Sequence, residues 1–278
     1  MSHNHAIKTL CRVLNVNRST YYKHLTRKPS VRELENQSLK RDILSLYIKY
    51  KKRLGSYKLR QRLMVEYGKN VSHGRVHRLM KSMNLPKMAT VKPISNFKVA
   101  DGHFQNHLQK NFNPKAPNIV WASDITYVKV SSKFFYLCAI IDLFSRKIIS
   151  YAVSPNNNTK LVLEAFNVAY TRRGCPSNIL FHSDRGVQYT SKDFRMLLDR
   201  VNFVQSFSAK AHPFDNAVIE AFFKYLKKEE LDRKSFTTLR QLKDSLFEYI
   251  SFYNKFRPHS SNDFLSPIEF EDLFYSTL

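Results

Sequence analysis

The sequence predicts an α/β domain in its C-terminal part, preceded by an all-α, strongly basic N-terminal part. Three observations carry this. From Trp121 onward, short apolar runs bounded by turn residues and helical periods follow one another in the order βββαβαβα. Before residue 86 the apolar residues recur only at helical spacing. The charge is also divided: residues 1–117 hold 25 Lys and Arg against 5 Asp and Glu, a balance of +20, whereas residues 118–278 hold 21 against 17, or +4.

In chain order, HAIKTLCRVLNVNRSTYYKHL places Ile7, Leu10, Cys11 and Leu14 on one helical face, breaks at Asn15 and Asn17, and resumes at Ser19 and Thr20. Residues 1–28 therefore read as a helix-turn-helix segment, with Arg18, Lys23 and Tyr21 or Tyr22 available for phosphates or base edges. A helical hairpin packed on another element fits the same pattern. Residues 30–85 read as a helical DNA-binding domain. A helix over 31–53 carries Leu39, Ile43, Leu46 and Tyr50 on one stripe, and Gly55 ends it. SYKLRQRLMVEYG and VSHGRVHRLMKSMNL follow. In the latter, Ser72 caps a helix that sets Arg75, Arg78 and Lys81 around Val76, Leu79 and Met80, the better candidate for a recognition helix. His73 and His77, like His103 and His107, have the spacing of a helical metal pair, but no Cys pair accompanies them, which favours structural or DNA-contacting roles over zinc. Residues 86–117, with prolines at 86, 93, 114 and 117, read as a linker.

Residues 118–278 form the α/β part. ITYVKV, FFYLCAIIDL and IISYAVS are three antiparallel strands joined by Ser-Ser-Lys and Ser-Arg-Lys turns. A helix over 158–172, strand NILFHS, helix SKDFRMLLDRV, strand FVQSFS and a helix containing Glu220 complete the order. A last helix over 239–256 has Leu242, Leu246, Tyr249 and Tyr253 as its buried stripe.

An apolar fraction of 43% over 278 residues is enough for real cores and excludes disorder throughout. Cys11, Cys138 and Cys175 are far apart without paired spacing, so a reducing compartment, the cytoplasm, is expected and a disulfide framework is not. No leader pattern opens the chain and no apolar run reaches membrane-span length. A basic tract can also bind an anionic membrane surface, but compact helices with short turns fit nucleic acid better than long amphipathic stripes do.

Three acids stand in settings that ordinary folding does not require. Asp124 opens a strand in WASDITYVKV, Asp184 follows one in NILFHSDRGVQY, and Glu220 lies on a helix in DNAVIEAFFKYLKKEEL, with thirty-five residues between the latter two. Taken singly, Asp184 also suits a turn and Glu220 a solvated Glu-Lys face. Together they suit phosphodiester chemistry, because an anionic phosphate repels its nucleophile until divalent cations on hard oxygen ligands neutralise the charge. Lys224 and Lys227, four and seven residues after Glu220, share its helical face and can reach phosphates.

DITYV, HSDRGVQYTS, the thirty-five-residue gap, DNAVIEAFFKYLKKE with Lys227 seven after Glu220, and YNKFRPHSSNDFLSP together resemble the DDE transposases of bacterial insertion sequences. Within them the chain resembles the second-reading-frame (OrfB-type) product, whose core is similar to retroviral integrases, from about residue 5 to the C-terminus. The resemblance implies a ribonuclease-H-like (integrase) core whose first and fourth strands lie side by side and bring Asp124 and Asp184 together. It implies Asp124, Asp184 and Glu220 as catalytic ligands of two Mg²⁺ ions, for which Mn²⁺ substitutes. It also implies double-stranded DNA as partner, both the terminal inverted repeats and the target, and a homo-oligomer, at least a dimer on paired ends. Fusion to, or regulation by, an upstream-frame product and a place at the bacterial nucleoid complete these expectations.

Asp142 competes for the triad and can instead pair with Arg146 as a structural neighbour of the site. Asp215 suits a helix cap, while Asn216 can face the substrate. Arg257 and His259 suit either DNA phosphates or bracing of the Glu220 helix. Two departures from the family wording, LGSYKL and the absence of glycine near Ala211 in SAKAHPFDN, bear on the DNA sequence read and on loop behaviour. The function expected is metal-dependent strand cleavage and strand transfer; the alternatives are an inactive DNA-binding regulator and a ribonuclease-H-type nuclease without joining.

The charge division makes a prediction of its own. A fragment ending near residue 110 should bind DNA by itself, and if it neutralises about six to ten phosphates its affinity should fall roughly 10³ to 10⁵-fold between 50 and 200 mM salt. Titration at several salt concentrations measures this; a salt-independent fragment, or a core fragment holding most of the affinity, contradicts it.

Overall fold

The computed structural model of the chain describes residues 6–85, 105–109, 111–208 and 216–277. It divides into two compact units, residues 1–85 and 86–278.

The first unit is helical: α1 (Ile7–Val13), α2 (Arg18–Leu25), α3 (Val31–Lys49), α4 (Ser56–Tyr67) and α5 (His73–Ser82). Local chemistry sets the boundaries. Asn17 caps α2 through Ser19 N, and Ser30 and Glu33 close a reciprocal capping box on α3. Ser72 caps α5 as the sequence predicts. α3 stops at Lys49, short of the expected 53, because Lys51 and Lys52 take left-handed φ of 51° and 62°. Gly68, at φ 62°, ends α4 in the left-handed cap that glycine adopts without Cβ strain. Leu39, Ile43, Leu46, Leu59, Leu63 and Val76 make the small core where α3, α4 and α5 meet.

The second unit is built on a five-stranded sheet of β1 (Val120–Val130), β2 (Lys133–Asp142), β3 (Ile148–Ser154), β4 (Leu180–Ser183) and β5 (Val204–Phe207), in the order β3-β2-β1-β4-β5. β1, β2 and β3 form the antiparallel meander, and β4 and β5 are parallel additions beyond β1. This is the arrangement that the ribonuclease-H-like resemblance implies. α6 (Thr159–Arg172) and α7 (Lys192–Arg200) supply Leu161, Phe166, Phe194 and Leu198 to a core with Trp121, Ile140 and Phe181. α8 (Ala217–Glu229) packs on β1 and β2, and α9 (Leu239–Lys255) on β3. Residues ahead of β1 join this unit: the Ser206 hydroxyl accepts from His107 N and Leu108 N.

α10 (Pro267–Ser276) is not among the elements expected from sequence. Its signal was local, a capping box of Ser266 and Glu269 with Pro267 in the first turn. Glu271 on α10 is buried and holds Arg173, Lys147 and the Ser145 hydroxyl. Arg173, not the expected Arg146, is also the ion partner of Asp142, at 3.3 Å; the Arg146 guanidinium instead donates to Phe112 O, Leu143 O and Asn113 Oδ1. Glu271 takes the shorter contact with Arg173 at 2.6 Å, so burial dominates at Asp142 and raises its pKa to about 6. Among the described residues no helix is long and apolar enough to cross a membrane.

One buried ion pair ties α8 to the chain after α9. Arg257 donates Nε to Glu229 Oε2 at 2.9 Å and Nη2 to Oε1 at 2.8 Å, Tyr249 donates its hydroxyl to Oε2, and the guanidinium lies 4.0 Å from the Tyr225 ring centroid. Removing one partner strands a buried charge, so Glu229→Gln or Arg257→Met should cost about 3–5 kcal/mol in urea unfolding, whereas Glu229→Leu combined with Arg257→Met should recover much of it. Single variants as stable as the parent would show that the pair does not brace α8.

Candidate active site

The sheet topology decides which acids meet. β4 pairs with β1 only at Val120↔Leu180, Trp121↔Phe181 and Ala122↔His182. Continued by two residues, that register sets Asp124, in the first half of β1, level with Asp184, which directly follows the carboxyl end of β4. Beyond residue 122, β1 keeps β2 on one side only, and the turn after β4 occupies the other.

The turn is anchored from beneath. The Tyr189 hydroxyl lies 2.8 Å from Ser123 Oγ, and Ser123 Oγ donates to Ala139 O. Gln205 Nε2 donates to Tyr189 O. His182 is buried between the Ser206 and Ser208 hydroxyls, and Arg185 Nε donates to Ser208 O, so β4 and its turn are fixed to β5. Gly186 N donates to Asp184 Oδ1 at 3.0 Å, and a Cβ at Gly186 would stand 3.0 Å from that same oxygen and from Gln188 Oε1, so a larger residue would push on the carboxylate that the backbone wraps.

Electrostatics show how poorly compensated the acids are. Asp124 is raised well above the usual carboxylate range, chiefly by burial and then by the charge of Asp184, with Glu220 adding to it. Burial raises Asp184 against the hydrogen bond from Gly186. Glu220 lies in the first turn of α8 on the solvent side; desolvation and then Asp184 raise it as well. Lys227 is half-buried two turns along, lowered by desolvation, with Asp232 and Asp124 opposing, and its ammonium is 5.2 Å from the Tyr127 ring centroid. Burial raises the neighbouring Cys138 thiol to about 12, so it stays protonated.

The structure thus brings Asp124 and Asp184 together and sets Glu220 within their field. Among the described residues no three His, Cys, Asp or Glu side chains are already gathered as a cation cage. The donor set nonetheless fits a divalent cation: the carboxylates are hard oxygen ligands whose mutual repulsion has no full counter-charge among the described residues. Two buried amide oxygens close by, Asn216 Oδ1 and Asn157 Oδ1, have no hydrogen-bond partner among the described residues. Asn216 does not cap α8, as no side-chain bond to the helix forms; its Nδ2 donates to Ser123 O and so ties the Glu220 helix to the strand of Asp124.

Other candidates lie elsewhere. The Asp142 carboxylate accepts from Asn118 N and Phe144 N, away from the acids. Arg257 and His259 are buried, the former on Glu229 and the latter with its ring 4.6 Å from that of Tyr253. Lys224 is exposed on α8. Asp215 and Ala211 lie outside the described residues, as does His103. In the first unit Arg18, Lys23, Arg78 and Lys81 are exposed and Tyr21 is half-buried. Arg75 is engaged within the unit, donating Nε to Asn36 Oδ1 and Nη2 to Glu35. His73 is 3.0 Å from Ser56 Oγ rather than arranged with His77 as a metal pair. The sequence reading did not single out Tyr189, Tyr127 or Asn157. Tyr189 lies inside HSDRGVQYTS and was there to be found; Asn157 comes from the turn before α6 and has no local signal.

Comparison with known proteins gives consistent results. Family models described as integrase core domain match residues 114–213 and 220–273, and one described as HTH-like domain matches residues 33–92. The transposase InsF for insertion sequence IS3A of Escherichia coli is 34% identical over 271 residues, 96% of this chain and 94% of that protein. An uncharacterized 31 kDa protein of insertion element IS600 from Shigella sonnei is 32% identical over 273 residues, 96% of this chain and 98% of that one. Among solved structures, the catalytic core of HTLV-2 integrase in complex with magnesium aligns with a TM-score of 0.43 and 17% identity, covering 56% of this chain and 98% of that one.

Proposed function

Because the chain belongs to the integrase-core family of insertion-sequence transposases, we propose that it binds the terminal inverted repeats of its own element, cuts a DNA strand there and joins the freed end to target DNA. The observation that carries this reading is the adjacency of Asp124, within β1, and Asp184, just after β4, with Glu220 on the helix that packs against β1.

Both steps are in-line displacements at phosphorus. In the first, water loses a proton to solvent and forms the new P–O bond, and the 3′-oxygen leaves and takes up a proton, giving a 3′-hydroxyl and a 5′-phosphate. In the second, that 3′-hydroxyl gives up its proton and attacks a target phosphate, and a target 3′-oxygen leaves and is protonated. Two Mg²⁺ ions, or Mn²⁺ in their place, held by Asp124, Asp184 and Glu220, would neutralise charge on the scissile phosphate and lower the pKa of the attacking oxygen. Gly186 N keeps the Asp184 carboxylate oriented, and Asn216 keeps the start of α8 against β1. Lys227 reaches the same space from α8 and Lys224 extends the positive face outward, so both serve phosphates flanking the cleaved bond.

The N-terminal unit supplies recognition. The exposed Arg78 and Lys81 on α5 and Arg18 and Lys23 on α2 are the DNA contacts, with Tyr21 beside them. Arg75 acts by holding α5 to α3. Two ends must be held at once, so the working form is at least a dimer, acting in the cytoplasm at the nucleoid, alone or with an upstream-frame product.

Asp124→Asn, Asp184→Asn and Glu220→Gln should each abolish Mg²⁺-dependent nicking and joining of end DNA in a gel assay while leaving end binding nearly intact. Near-parental turnover by any one of them removes that residue from the site. Cut strands without joined products would identify a nuclease instead.

A further inference from the structure

An open trough of about 570 Å³ lies between α3 and α5 in the first unit. On α3, Arg32, Asn36 and Lys40 line it one turn apart; on α5, Arg75, Arg78 and Ser82 do the same, with the buried Leu79 among them. Five cations, these four and Arg27, meet one acid there, Glu33. That acid is already engaged, since Glu33 pairs with Arg27 and closes the capping box of α3. Arg75 is engaged as well, by Glu35 and by Asn36 Oδ1. The side chains of Arg32, Lys40 and Arg78 make no ion pair or hydrogen bond among the described residues, although Lys40 is half-buried. Three like charges gathered round one trough repel one another and bring folding no gain.

We infer that this trough is a clamp for the phosphate backbone of one DNA strand, with Arg32, Lys40 and Arg78 on its phosphates. The inference rests on the recognition step of the proposed function and adds α3 to the binding surface, together with a division of roles on α5. Spacing selects a run of phosphates over a single small anion. Arg32 and Lys40 are eight residues apart, about 12 Å along the helix, farther than one phosphate bridges. Chemistry selects backbone over base edges for Arg78. It shares the trough with two other uncommitted cations, and such groups hold phosphate oxygens whatever the sequence, fixing the register of the protein on the duplex. His77 and Lys81 lie one turn apart on α5, exposed and outside the trough, and so remain for base edges. Arg75, bonded to both Glu35 and Asn36, holds the two walls together.

Salt titration of the full-length protein on end DNA and on a random duplex tests this. Arg32→Gln, Lys40→Gln and Arg78→Gln should each weaken binding to both DNAs by the same factor, and each should lower the slope of log affinity against log salt concentration by about one. Arg32→Lys and Lys40→Arg should keep the parental slope, which separates lost charge from misfolding. Arg41→Gln removes the same charge from an exposed position of α3 outside the trough, and it should change the slope little. If Arg41→Gln lowers the slope as much as Arg32→Gln and Lys40→Gln do, only the net charge of the unit matters and the clamp is overturned. If Arg78→Gln weakens end DNA and leaves random DNA unaffected, Arg78 reads bases and the clamp is likewise overturned. Both of those results leave the transposase reading standing. A parent that binds neither DNA removes recognition from the proposed function, and the clamp with it.

Discussion

Two carboxylates packed side by side in a partly desolvated crevice set the terms for the rest of the second unit. Taking such charges out of water costs on the order of several kcal/mol each after relaxation, and among the described residues neither Asp124 nor Asp184 has an ion-pair partner to offset it; Lys227, whose charge acts on Asp124, is itself lowered by desolvation. The surroundings therefore have to hold a repulsive arrangement in place. They do so with covalent continuity and packing: the parallel register of β1 and β4, the Tyr189 anchor on Ser123, the glycine that lets a backbone N–H reach Asp184, and the Asn216 tie from α8 to β1. Behind α8, the Glu229–Arg257 pair fixes the helix from its other end. In the function proposed above, an external cation would relieve this tension, with Glu220 joining Asp124 and Asp184 around a phosphate.

The first unit works by the opposite rule. Most of its charges lie on exposed helix faces over a small core, where they are hydrated and individually cheap, while Arg53 and Arg62 are buried; the exposed ones act through the summed field that a polyanion feels. The function proposed above assigns affinity to one unit and chemistry to the other. Arg75 marks where the division is imperfect, since its guanidinium is committed to Glu35 and Asn36 and so supports the shape of the binding surface.

The strand and helix order of the second unit was legible because each element has its own period and the turns carry Ser, Gly and Asn in their usual places. The neighbourhood of Asp124, Asp184 and Glu220 was legible because the residues around them formed ordered motifs, and the fold sets the three within one another's field. What sequence could not supply was anything dependent on chain-distant pairing. Asp142 was expected to find Arg146, four residues away, yet the fold brings Arg173 from the end of α6 and Glu271 from α10 into one buried cluster. The pairing of Arg257 with Glu229 joins residues separated by a helix and two turns. The facing of Tyr127 and Tyr136 arises from cross-strand register and not from any local pattern. α10 is the exception: its capping box was readable and was missed.

The central claim, that Asp124 and Asp184 are held in mutual repulsion until a divalent cation relieves it, is tested most directly by thermal unfolding with and without Mg²⁺ at constant ionic strength. A ligand that binds only the folded state raises Tm with its concentration. The account predicts that the parental protein gains stability with Mg²⁺, and that Asp184→Asn melts above the parent without Mg²⁺ and does not respond to it. An Asp184→Asn variant that melts below the parent, or that gains as much from Mg²⁺ as the parent does, would contradict it.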